Sequence, residues 1–99
     1  MNPADVLDFW FAAPGDPDYG KTRPLWFSKT ETTDELVRDR FGGTVEAALN
    51  GEIDDWALTP RGALALIILL DQFTRNIYRD TPRSFDGDGQ ALRLASNLV

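Results

Sequence analysis

Apolar residues recur along the chain with a helical period, in four blocks separated by turn residues. Val6, Leu7 and Trp10 share one helical face, widened by Phe9 and Phe11, and predict a helix over residues 3–11. Asn2 suits the N-cap, and Pro3 suits the first helical position, where its missing N–H is not needed. Ala13-Pro14-Gly15 stops the helix. Residues 14–31 read as a long loop, punctuated by Pro14, Gly15, Pro17, Gly20 and Pro24, with Leu25-Trp26-Phe27 as its buried anchor.

A second stripe, Val37, Phe41, Val45, Ala48 and Leu49, predicts a helix over residues 33–50. Thr32 and Glu35 match a capping box, and Asp34 favours the positive helix N-terminus. Gly42-Gly43 weakens the middle by roughly 1 kcal/mol per glycine relative to alanine, which a close helix–helix approach would explain. Asn50-Gly51 reads as the C-terminal turn. The third helix starts with Thr59 as N-cap and Pro60 at the first position, and runs to Tyr78 or Arg79; Pro82 disfavours helix at Thr81. The fourth begins near Asp86 or Asp88 and carries Ala91, Leu92, Leu94, Ala95 and Leu98. No strand-like alternation competes, so the prediction is one all-α domain over residues 1–99 with about four helices.

On a helical wheel, the third helix is apolar all round over its first half and polar on one arc of its second half. That arc holds Asp71, Gln72, Arg75, Asn76 and Arg79, where a core helix emerges at a rim or cleft floor. Asp71, Arg75 and Arg79 make an i, i+4, i+8 ladder with Asp before Arg, the favourable order. Read structurally, the ladder is an ion-pair face. Read functionally, two guanidinium forks steered by Asp71, with Gln72 and Asn76 as neutral partners, form an anion site.

Composition narrows the chemistry. The 99 residues contain no cysteine and no histidine, which removes disulfides, thiol chemistry, Cys/His zinc sites and histidine acid–base work. No metal site and no cofactor is expected, and zero cysteine fits the cytoplasm. The net charge of −6 is uneven. Residues 1–58 carry 5 Lys/Arg against 12 Asp/Glu, and residues 59–99 carry 5 Arg against 4 Asp. An acidic chain without a basic stripe argues against nucleic acid and against an anionic membrane surface. The longest apolar stretch, residues 62–70, is too short to span a bilayer. Asp86-Gly87-Asp88-Gly89 fits a calcium loop in neither frame and reads as helix capping. Asp54-Asp55 is a solvated acidic pair.

Four segments carry a resemblance. They are Val6-Leu7-Asp8-Phe9-Trp10-Phe11, then Leu25-Trp26-Phe27, then Leu69-Leu70-Asp71-Gln72-Phe73-Thr74-Arg75-Asn76-Ile77-Tyr78-Arg79, then Phe85 with Asp88 and Ala91-Leu92. In this order they resemble the domain-of-unknown-function family 924, with Thr74 standing where the family often has proline. The resemblance implies a tetratricopeptide-like α–α superhelix and no established activity. It also implies a longer domain, with further helices and a histidine-containing motif downstream. With the uncapped apolar end at Leu98-Val99, this predicts that residues 1–99 are the N-terminal part of that domain and self-associate when alone.

Three functions stay open. The leading one is a helical binding or interaction module whose Asp71, Gln72, Arg75, Asn76 and Arg79 rim binds a small anion or a partner protein's carboxylate. The second is an enzyme with Asp71 as acid/base and the arginines as substrate clamp. The third is a purely structural network, with Arg75 bonding loop carbonyls.

Overall fold

The computed structural model describes residues 1–23, Trp26 and residues 30–97. Leu25 and Phe27 of the expected anchor, and the Leu98-Val99 end, lie outside these residues. Among the described residues every regular element is helical. The elements are α1 (Pro3–Phe11), α2 (Glu31–Leu49), a 3-10 helix (Asp54–Leu58), α3 (Pro60–Ile67), a π segment (Ile68–Phe73), α4 (Thr74–Ile77), a second 3-10 helix (Pro82–Phe85) and α5 (Asp88–Asn97).

Local chemistry accounts for most of these boundaries. Asn2 and Asp5 cap α1 reciprocally: the Asp5 N–H donates to Asn2 Oδ1 and the Asn2 N–H to Asp5 Oδ2. Thr59 accepts from the Gly62 N–H and starts α3 ahead of Pro60. The central helix, residues 60–77, is capped at Tyr78, and in the turn beyond it Asp80, at φ 66°, takes a left-handed conformation that Asp tolerates better than most residues.

Two expectations for α2 need correction. It starts at Glu31, because Thr30 rather than Thr32 supplies the capping oxygen to the Thr33 N–H. Both threonines suit the role; choosing Thr30 places Glu31 and Asp34 in the positively polarised first turn. Among the described residues, Gly42-Gly43 marks no close approach of another helix: a Cβ at Gly43 would meet nothing there, and one at Gly42 only the Arg38 side chain of the same helix.

The third predicted helix is interrupted by the π segment, which inserts one extra residue into the turn. Its insertion shifts the register by one residue, so adjacent Phe73 and Thr74 are both fully buried. Side chains bond two of its backbone carbonyls. The Thr74 hydroxyl donates to the Leu70 carbonyl at 2.9 Å and to the Asp71 carbonyl at 3.2 Å. Arg75 Nη1 donates to the Asp71 carbonyl as well. Gly87 lets the start of α5 approach this point, since a Cβ there would collide with the Leu70 carbonyl.

Residues 60–77 form the centre of the core. Phe73 packs against Phe41 of α2, Phe9 and Trp10 of α1, with ring centroids 5.0–5.8 Å apart. Leu66, Leu69 and Leu70 are buried beside Val6, Val37 and Ala91. α3 packs on α1 and α5, while α2 packs on the π segment and α4. Trp26 stacks on Trp10 and donates its indole N–H to the Trp10 carbonyl at 2.8 Å, the described remnant of the expected anchor. The apolar start of the central helix is buried except at Leu64, which is more than a third exposed, and at Ile67, which is partly buried.

Candidate functional site

The central helix turns from apolar to polar at its π segment, and from there each polar side chain finds an internal partner. Arg75 Nη1 donates to Asp71 Oδ1 at 2.9 Å, and Nη2 reaches both carboxylate oxygens of Asp88, the first residue of α5, at 3.2 Å. Its guanidinium also lies 5.4 Å from the Phe85 ring centroid. Gln72 donates to Asp71 Oδ2, so both oxygens of that carboxylate are taken. An acid/base role for Asp71 would first have to break these bonds.

One turn on, Arg79 points to a different helix. Its Nε donates to Asp34 Oδ2 at 2.6 Å and its Nη2 to Asp34 Oδ1 at 2.8 Å, a bidentate fork. Asn76 donates to the same Asp34 Oδ1 at 3.0 Å. Asp34 is buried at 7% exposure, and the Arg79 hydrogen bond holds its carboxyl below the usual carboxylate range. Burial pushes the other way, and the Asn76 bond and the nearby Arg79 and Arg38 charges reinforce the lowering. In return, the Asp34 bond raises Arg79. This pair is locked in its ionised form, the opposite of a group poised to exchange protons near neutrality.

The rim extends beyond the residues that the helical wheel singled out. Arg83 Nη2 donates to Glu46 Oε2 at 2.6 Å and Nη1 to Asp86 Oδ2 at 3.1 Å; Glu46 also accepts the Tyr78 hydroxyl. Five carboxylates, Asp34, Glu46, Asp71, Asp86 and Asp88, therefore face three arginines, Arg75, Arg79 and Arg83. Asp71 and Arg75 were legible as an i, i+4 pair. Asp34, Glu46 and Asp88 were not, because they pair across 45, 37 and 13 residues and no spacing rule reaches that far. The sequence brings Gln72 to Asp71 and Asn76 to Asp34, but the two arginines turn to separate helices rather than to one point. Among the described residues, no three His, Cys, Asp or Glu side chains gather as metal ligands. No described helix is long and apolar enough to cross a membrane.

Fold and rim together define an all-helical protein whose emerging core helix is tied to its neighbours by ion pairs. This chain belongs to the family described as bacterial protein of unknown function (DUF924), whose pattern matches residues 6–99. Neither a curated protein nor a solved structure matches it.

Proposed function

We propose that the chain is a helical binding scaffold, acting in the cytoplasm, and that its Asp71, Gln72, Arg75, Asn76 and Arg79 rim is an internal brace. The observation that carries this reading is the divergence of the two arginines: Arg75 is held by Asp88 of α5 and Arg79 by Asp34 of α2. The brace thus joins three segments that are distant in sequence. An anion entering the rim would displace a carboxylate and meet an excess of negative charge, which disfavours it electrostatically. A tetratricopeptide-like α–α superhelix is part of the same proposal. It is supported by the packing of α3 on both α1 and α5.

A second reading keeps a partner role for Arg75. Its side chain is 38% exposed and its two contacts to Asp88 are long, so a partner carboxylate could exchange for Asp88. Titration with phosphate and acetate, together with a melt, separates the readings in Arg75→Gln and Arg79→Gln. The brace predicts a lower melting temperature for Arg79→Gln and the same anion response as the parent. Loss of anion affinity with little change in melting would favour the partner role.

A further inference from the structure

A second polar region has the opposite character. A half-open cavity of about 280 Å³ lies between the first 3-10 helix, the central helix and α5. Leu66 and Leu70 form its floor. Gln90, Arg93 and Asn97 stand at i, i+3 and i+7 on one face of α5, and Asp54 stands across from them. Among the described residues, none of these four side chains has a hydrogen-bond or ion-pair partner. Gln90 Oε1 goes further: among the described residues it is the one buried side-chain polar atom with no partner. A buried acceptor without a donor bears its desolvation cost uncompensated, so stability is gained when the Gln90 carboxamide, a lining group of the groove, turns its oxygen toward a donor there.

We infer that this groove binds a short zwitterionic peptide of about dipeptide size, an inference that rests on the chain being a binding scaffold. Arg93 takes the carboxylate through its planar fork. Asp54 takes the ammonium group. The Gln90 carboxamide turns its Oε1 into the groove to accept the amide N–H, and the Asn97 carboxamide donates to the amide carbonyl. An aliphatic side chain covers the Leu66 and Leu70 floor. Size agrees: a cavity of roughly 150 Å³ holds benzene and drug-sized sites begin near 300 Å³, so 280 Å³ suits roughly a dozen non-hydrogen atoms. Charge agrees as well, since an unpaired cation and an unpaired anion on one rim match a ligand carrying both signs. A simple anion would leave Asp54 opposed, and an amine alone would leave Arg93 unused.

The test is a titration of the protein with the dipeptide Ala-Leu, followed by amide chemical shifts. Saturable shifts at Gln90, Arg93 and Asn97 are expected. N-acetyl-Ala-Leu and Ala-Leu amide, each lacking one charge, should bind about tenfold more weakly, as should Ala-Leu to Asp54→Asn and Arg93→Gln. Gln90→Leu gives a readout that a merely structural residue would not: the free protein should melt about 5 °C higher, while Ala-Leu binds about tenfold more weakly. The inference is overturned if Ala-Leu gives no saturable shifts, if the capped forms bind as well as the free dipeptide, or if Gln90→Leu melts lower than the parent. A failure of the brace would show separately, as a parent-like melt of Arg79→Gln with the dipeptide results unaffected.

Discussion

The rim and the groove share α5, whose first residue, Asp88, closes the rim and whose following turns line the groove. In the rim every charged group is matched within the protein, and the excess is in acceptors. In the groove two charges and two carboxamides are left unmatched, one of them with a buried oxygen. Polar groups that are satisfied internally stiffen a fold; groups left unsatisfied cost stability and are available to a ligand. The eye-catching arginine ladder therefore marks where helices are tied together, and the quieter face of α5 marks where binding is to be sought.

The largest effect belongs to the floor of the groove. Leu66→Ala or Leu70→Ala should cost about 2–5 kcal/mol in urea unfolding, the range for buried leucines. Losses under about 1 kcal/mol at both positions would move the central helix out of the core. Within the rim, Arg79→Gln should cost about 3 kcal/mol, because it leaves the buried Asp34 carboxylate without its fork. Arg75→Gln should cost about 1 kcal/mol or less, since that pair is more than a third exposed on both sides. If the two losses came out equal, the distinction between a buried and a surface part of the brace would fail.

Acid should act on the rim through Asp34. Its carboxyl lies below the usual range when folded, so the unfolded chain binds the proton more readily. The pair's contribution is then complete above the ordinary carboxylate pKa of about 3.9 and is lost as pH falls from there through the folded value. Asp34→Asn should flatten that limb of a stability-versus-pH curve. The one effect of opposite sign is the gain of about 1 kcal/mol expected for Gln90→Leu in the free protein.

How much of this the sequence discloses depends on distance along the chain. Asn2 with Pro3, and Thr59 with Pro60, announce their helix starts because capping is settled within three residues. The α2 start slipped by two residues because Thr30 and Thr32 are chemically alike. The π segment left no periodic signature, since a single inserted residue is invisible to a wheel drawn at constant pitch. Gly87 reads as a helix-start residue, and its carbonyl does accept the Ala91 N–H; its second role, admitting the Leu70 carbonyl, leaves no mark in the sequence. In the rim, the five polar positions on one helix were legible and their carboxylate partners were not. That gap made the arginines look free for an anion. The groove face, Gln90, Arg93 and Asn97, drew no notice because its meaning lies in an absence of partners that only the folded arrangement reveals.

The arginine ladder's bracing of the fold is open to direct measurement. A double-mutant cycle on Asp34 and Arg79, measured by urea unfolding of the parent, Asp34→Asn, Arg79→Gln and the double variant at neutral pH, tests it most directly. The brace predicts a coupling of about 2 kcal/mol that disappears when the cycle is repeated below the carboxylate range. A coupling under about 0.5 kcal/mol at neutral pH would contradict it and return Arg79 to the list of groups free to meet a ligand.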